Sequence, residues 1–325
     1  MIRTETNFAG LRLRNPIIVS SSGLTDSAAK NRRLEEAGAG AIVLKSLLEE
    51  QILQEAYWLG NPAMYPEGSD YLVEYMREHQ LGEYLRLIRE SKATCTIPII
   101  ASINCWQDGE WADVAGQIEE AGADALEINI LSLQTDLHYV YGSYEQRHID
   151  ILARVKRQVA LPVIMKVGSN LTNPIALFNQ LYANGAAGIV LFNRFYRPDI
   201  DIEKMTQTVG ELFTNESDLS PVLRWIGIAS AALGHMDYAA SGGIHSPESV
   251  VKALLAGASA VEMCSAIYRQ SPAFIGRCLQ FLREWMERKG MDGIARFKGR
   301  LNMANSEGVN TFERTQFMKY FSTHR

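Results

Sequence analysis

Four times along this chain a helix ends at a glycine and an apolar strand begins within a few residues. The stretches are EEAGAGAIVLKS (35–46), EEAGADALEINILSLQ (119–134), YANGAAGIVLFN (182–193) and LLAGASAVEMCS (254–265). Glycine suits the left-handed turn that follows a helix, and the alanines let helix and strand pack closely. Seven residues beyond Gly38, Gly122, Gly185 and Gly257 stand Lys45, Asn129, Phe192 and Cys264. Special residues therefore recur at one place, the carboxyl end of a strand.

Further apolar runs lie between these units: NPIIVSSSG (15–23), IPIIASINC (97–105), LPVIMKVGS (161–169) and MDYAASGGI (236–244). Prolines at the starts of such runs are tolerated at a strand's first position. Helical patterns fill the gaps, at 26–37, 80–93, 109–121, 145–159, 173–184, 221–233, 246–256 and 272–289. Buried strands alternating with helices predict a parallel sheet. Right-handed crossovers close eight such units into a (β/α)₈ TIM barrel. A doubly wound open sheet is the competing arrangement, and the count of eight favours the barrel. The expectation is one domain over 1–325. Long insertions at 47–79 and 194–220 follow strand ends and so belong to the catalytic face. The tail, 290–325, reads as helical and polar, packed outside the barrel.

Composition narrows the classes of function. The net charge of −5 gives no basic field for nucleic acid or an anionic membrane. No window approaches the 18 or so apolar residues of a membrane span, and the first 16 residues contain no signal-peptide core. Cys95, Cys105, Cys264 and Cys278 form no CxxC pair and have no histidine at zinc spacing. They read as reduced thiols of a cytoplasmic protein.

On a barrel, ligands bind at the carboxyl-terminal face. Ser21, Ser22, Lys45, Ser46, Ser102, Asn104, Asn129, Ser132, Gln134, Lys166, Asn193, Gly242, Gly243, Cys264 and Ser265 collect there. So many polar groups at strand ends call for solvent or a ligand to satisfy them. SGGI at 241–244 followed by HSPES opening a helix is a phosphate-binding arrangement, with Cys264 and Ser265 as its second half. Lys166 and Lys45 are able to form a Schiff base, balance an anion or reach water. Glu127, set among apolar neighbours, suits a salt bridge with Lys166 inside the barrel.

NPIIVSSSG, GAGAIVLKS, PIIASI, ALEINILSL, PVIMKVG, ASGGIHSPESVVKALLAGASAVEMCSAIY and GMDGIARFKGRL, in this order, resemble the dihydroorotate dehydrogenase family. The resemblance covers essentially the whole chain and is closest to the soluble class 1 enzymes. It implies an FMN-dependent barrel that oxidises dihydroorotate to orotate and passes electrons to a soluble acceptor such as fumarate. It also implies a homodimer. FMN would be bound by Ser21, Ser22, Lys45, Ser46, Asn129, Lys166 and Asn193. Its phosphate would lie at Gly242, Gly243, Cys264 and Ser265. Ser132 stands where the family has its catalytic base, Lys45 would balance charge, and Asn61, Asn129, Gln134 and Asn193 would orient the substrate.

Several positions depart from the family. Ser132 replaces the usual class 1 cysteine, and a hydroxyl needs more help than a thiol to accept a proton. In the substrate loop, NPAMYPEGSDY (61–71), Glu67 replaces an asparagine, and Arg194 follows Asn193 where the family has a small hydroxyl residue. Three other readings therefore stay open. One is an FMN oxidoreductase acting on a different unsaturated substrate. Another is a phosphate-binding lyase with Lys166 as Schiff base. The third is a flavin-binding barrel without catalysis.

Overall fold

The computed structural model describes residues 2–48, 69–104 and 111–305. An antiparallel hairpin opens the chain: β1 (Thr6–Phe8) and β2 (Leu11–Leu13). Eight parallel strands follow and close into a ring. They are β3 (Ile17–Val19), β4 (Ala41–Val43), β6 (Ile99–Asn104), β7 (Ala125–Ile130), β8 (Val163–Val167), β9 (Ala186–Leu191), β12 (Asp237–Ser241) and β13 (Ala260–Met263). Each pairs with the next in chain order, and β13 pairs with β3 to complete the circuit. A two-residue strand, β5 (Leu47–Leu48), adds to β6. The chain is thus a (β/α)₈ barrel, as its repeat pattern predicts.

Period-two alternation sorts the side chains. On β3, Ile17 and Val19 pack outward against the helices while Ile18 points into the barrel. On β6, Ile99, Ala101 and Ile103 face out and Ile100 faces in. The helices complete the outer layer with amphipathic faces. The helix Ala273–Arg288 buries Phe274, Ile275, Cys278, Leu279, Leu282 and Met286, one stripe at helical spacing. Asn173 caps the helix Pro174–Ala183 by accepting from the N–H of Ala176, and proline fills the first helical position.

The hairpin plugs the amino-terminal end of the barrel. Phe8, Ala9 and Leu13 join Ile18, Ala41, Val43, Ile100, Ala125, Ile164, Val190, Ala239 and Ala260 in one dry interior layer. The Ala9 N–H donates to Asp237 at 3.0 Å. A Cβ on Gly188 would lie 3.1 Å from Ala9 and from Phe8, so the plug sits directly on β9. Among the described residues this plug fills the amino-terminal end, leaving the carboxyl-terminal face for a ligand.

Three differences from the sequence expectations stand out. The helix expected over 80–93 runs Ser69–Thr94. That shortens the insertion before it, of which 49–68 lie outside the described residues. The insertion after β9 contains an antiparallel hairpin, β10 (Pro198–Asp201) with β11 (Thr206–Val209). The tail does pack outside the barrel: Gly299 and Leu301 donate to the carbonyls of Leu254 and Leu255, both at 2.9 Å. It is not helical up to residue 305, where only a 3₁₀ turn at Ile294–Arg296 forms. Gly290 and Gly299, both in the left-handed region, interrupt any longer helix.

Candidate active site

Two residues beyond the dry layer, the same inward-facing positions turn polar. Ile18 is followed by Ser20, Ile100 by Ser102, Ala125 by Glu127 and then Asn129. Ile164 is followed by Lys166, Ala239 by Ser241, and Ala260 by Glu262 and then Cys264. The barrel therefore has an apolar base and an ionic, hydrogen-bonding upper layer, and that layer borders a pocket of about 360 Å³. Such a volume falls within the range of small-molecule sites. Its floor includes Ser20, Lys166 and Glu262, and one side carries Ser241, Gly242, Gly243, Cys264 and Ser265. Asn193 and the foot of the β10–β11 insertion, Arg194 to Arg197 with Val209, Glu211, Leu212 and Thr214, complete the lining, and the Thr214 N–H donates to Ser265 Oγ at 3.2 Å.

The glycine pair fits an anion. Gly242 and Gly243 have φ of 99° and 76°, in the left-handed region. A Cβ on Gly243 would fall 2.2 Å from the backbone nitrogen of Leu219, so this position admits glycine alone. A Cβ on Gly242 would meet nothing within 4 Å. The N–H groups of Gly243 and Ser265 give no backbone hydrogen bond among the described residues. Donors of this kind, on backbone held open by glycine, suit a phosphate. The donor set therefore fits the phosphate end of FMN.

A continuous hydrogen-bonded belt crosses the mouth. Ser21 Oγ lies 2.9 Å from Ser46 Oγ, which lies 2.7 Å from Ser102 Oγ. Asn129 Nδ2 donates to Ser102 Oγ at 3.1 Å, and Asn193 Nδ2 donates to Asn129 Oδ1 at 3.2 Å. Tyr84 anchors the belt from outside, its hydroxyl donating to the Ser102 carbonyl at 3.0 Å and accepting from the Ser102 N–H at 2.6 Å. Each residue comes from a different strand or loop, which is why chain spacing alone does not reveal the contacts.

Lys166 is buried in the same layer. Its Nζ donates to Glu262 Oε2 at 2.6 Å and to Ser20 Oγ at 2.9 Å, and lies 3.5 Å from Glu127 Oε1. The salt bridge expected between Glu127 and Lys166 is present. Burial alone would lower the Lys166 pKa, but the negative charge on the Glu127–Glu262 pair outweighs it and holds the ammonium above its ordinary value. Glu262 is opposed by burial too, yet the contacts from Lys166, Glu127 and Ser20 keep it below the usual carboxylate range. Glu127 goes the other way. Burial and then the charge of Glu262 push it well above its ordinary value. Burial also raises the Cys264 thiol.

The remaining predicted residues divide. Ser21, Lys166, Asn193, Gly242, Gly243, Cys264 and Ser265 line the pocket, while Ser46 and Asn129 join it through the belt. Ser22 is engaged in its own turn, its hydroxyl accepting from the N–H of Leu24 at 3.2 Å. Ser132 is buried just past β7, where its Oγ accepts from Gln134 Nε2 at 2.7 Å and its N–H donates to Tyr144 Oη at 3.3 Å. Neither residue borders the main pocket. Lys45 is exposed, and it lines a separate cavity of about 320 Å³ with Asp26, Ser46, Glu83 and Tyr84. Asn61 and Glu67 lie outside the described residues.

Three participants escaped the sequence reading: Ser20, Tyr84 and Glu262. For Ser20 and Glu262 the signal was a polar residue at the end of, or inside, an apolar strand; Tyr84 lies on a helix and carried no local signal. Glu262 stands two positions after the inward-facing Ala260, so both point inward from β13.

The family model for dihydroorotate dehydrogenase matches residues 3–286. Among curated proteins, the catalytic subunit of dihydroorotate dehydrogenase B (NAD(+)) of Methanosarcina acetivorans is 29% identical, over 90% of this chain and 94% of that protein. The protein of the same name from Thermoplasma volcanium is 26% identical, over 91% of this chain and 97% of its own. A putative dihydroorotate dehydrogenase A (fumarate) of Aeropyrum pernix is 26% identical over 89% of this chain and 94% of that protein.

Proposed function

The chain belongs to the dihydroorotate dehydrogenase family, and from that premise we propose that it oxidises dihydroorotate to orotate, in pyrimidine biosynthesis, with FMN as its redox group. The observation that carries this reading is the junction of a glycine-built anion cradle with an ionic floor in one pocket at the carboxyl end of the barrel.

FMN supplies the acceptor for the hydride that leaves the substrate ring. The N–H groups of Gly243 and Ser265 would hold its phosphate, and Ser21 and Asn193 would contact the body of the cofactor. The hydrogen bond between Asn193 and Asn129 fixes both amides, leaving their remaining donors and acceptors to orient a pyrimidine ring. Ser132 would accept the proton from the ring carbon adjacent to the one that gives up hydride, its own hydroxyl proton passing to water as it does so. Its Oγ retains acceptor capacity beside the bond from Gln134. Tyr144, whose hydroxyl accepts from the Ser132 N–H, has its pKa raised by burial, and Asn170 donates to the Ser132 carbonyl at 3.0 Å. The roles given to Lys45, Ser22, Gln134 and Asn61 rest on the family resemblance alone.

The electron acceptor is fumarate or NAD(+), the two that the relatives' names carry. A homodimer in the cytoplasm belongs to the same proposal. Among the described residues no helix is long and apolar enough to cross a membrane. Glu67 in the substrate loop favours one competing reading, the same flavin seat with a different unsaturated substrate. Orotate formation from dihydroorotate, followed by absorbance with fumarate or NAD(+) present, tests the proposal. Turnover with either acceptor is expected. A flavin-loaded protein that turns over with neither, yet accepts electrons from another donor, would favour the competing reading.

A further inference from the structure

The floor of the pocket holds one ammonium and two carboxyls, all buried. Their surroundings are unequal. Glu262 Oε2 receives both the Lys166 ammonium, at 2.6 Å, and the Ser20 hydroxyl, at 2.9 Å. Glu127 has the longer contact to Lys166, 3.5 Å, and a long hydrogen bond from Asn129, 3.4 Å. Its Oε2 has no hydrogen-bond partner among the described residues. Two ionised carboxylates facing one lysine would leave an uncompensated negative charge in a closed interior, which is costly. A proton on Glu127 removes that charge and turns its orphaned oxygen into a donor. The other titratable groups facing the triad cannot supply the missing compensation. The Cys264 thiol and the Tyr84 phenol are both shifted upward by burial and remain neutral at pH 7. The directions found for Glu127 and Glu262, one raised and one lowered, agree with this division.

We infer that Glu127 and Glu262 share a single proton beside Lys166, so that the pocket floor is electrically neutral and Glu262 tunes the site by withdrawing the lysine's charge from the ligand seat. A lone ammonium below a ring that gains electrons would stabilise the added negative charge. An ammonium already matched by Glu262 does so far less. Lys166 was expected to contact FMN and to pair with Glu127, and Glu262 is the partner that changes its role. Glu262 is a positioning residue in this account, because it acts through Lys166.

The test has two arms, and only the second rests on the proposed function. In the first, the cofactor-free chain is examined by infrared spectroscopy at pH 7 for the C=O stretch of a protonated carboxyl. Wild type is expected to show it. Glu127→Gln and Glu262→Gln are each expected to lose it, because either change leaves one carboxylate matched to one lysine. No such band in wild type, or a band that survives both substitutions, overturns the inference. In the second arm the FMN-loaded protein is titrated for its midpoint potential. The double variant E127Q/E262Q, with Lys166 unmatched, is expected to shift to a more positive potential than either single variant. An unchanged potential would mean that the lysine's charge is not felt at the seat. A chain that takes up no FMN refutes the proposed function and leaves the first arm to decide the triad. A double variant that does not fold likewise leaves the first arm decisive.

Discussion

Replacing Lys166 by methionine removes the ammonium from between two buried carboxyls while keeping most of the side-chain volume. In wild type, Glu262 has a lowered pKa. Its stabilising contribution is therefore present above the unfolded carboxylate value and lost as pH falls through its folded value. Without the lysine, burial is the dominant influence left on both carboxyls, and both fold with raised values. The sign for Glu262 reverses: stability is then greatest below the unfolded carboxylate value, near about pH 4.3, and is lost as pH rises. On folding, the variant takes up one more proton than wild type does, two on its carboxyls against one. The gap between them therefore widens by about 1.4 kcal/mol per pH unit until the carboxyls ionise. Breaking a buried pair by removing one partner costs about 3–5 kcal/mol, which sets the ceiling. At roughly 2–4 °C per kcal/mol for a large domain, the Tm difference should reach on the order of 10 °C. Thermal unfolding of the cofactor-free proteins from about pH 5 to about pH 8 measures it. A Tm difference that stays constant across this range, or vanishes, would refute the charge-balance argument.

Other expectations are equally concrete. Gly243→Ala should be the more damaging of two neighbouring changes, since its Cβ would meet the Leu219 nitrogen at 2.2 Å whereas Gly242→Ala enters open space. Both carry about 1–2 kcal/mol of left-handed strain, so the excess Tm loss of Gly243→Ala reports the clash, and equal losses would contradict it. Ser132→Ala should slow flavin reduction by dihydroorotate roughly 10²–10⁴-fold, the usual worth of a general base, without weakening FMN binding. Unchanged rapid-mixing rates would remove Ser132 from the mechanism. Phe8→Ala opens the sealed base of the barrel and should cost about 3–5 kcal/mol in denaturant unfolding. Its rate of flavin reduction should stay near that of wild type, and a large fall in that rate would show that the plug shapes the site.

Much of the fold was legible because parallel strands buried on both faces leave a continuous apolar trace, and the glycine at each helix end marks where the next strand begins. The glycine cradle was legible because Gly242 and Gly243 interrupt a strand end, and at Gly243 a side chain would intrude. What escaped notice depends on contacts between distant segments. Three-residue strands such as Thr6–Phe8 and Leu11–Leu13 carry too little periodicity to announce a hairpin, and their role appears only when Phe8 meets Gly188. Lys45 lies beyond the last residue of β4, Val43. The period-two rule therefore no longer governs its direction, and the side chain turns toward Asp26 and Glu83. Glu262 was visible as an acidic residue in an apolar strand, but its partnership with Lys166 spans 96 residues of chain.

The central claim is that the barrel mouth seats FMN where dihydroorotate reduces it. Anaerobic mixing of the FMN-loaded protein with dihydroorotate, with no acceptor present, tests this most directly. Stoichiometric bleaching of the flavin absorbance is expected, with one orotate formed per flavin. Bound flavin that stays oxidised under excess dihydroorotate would contradict it.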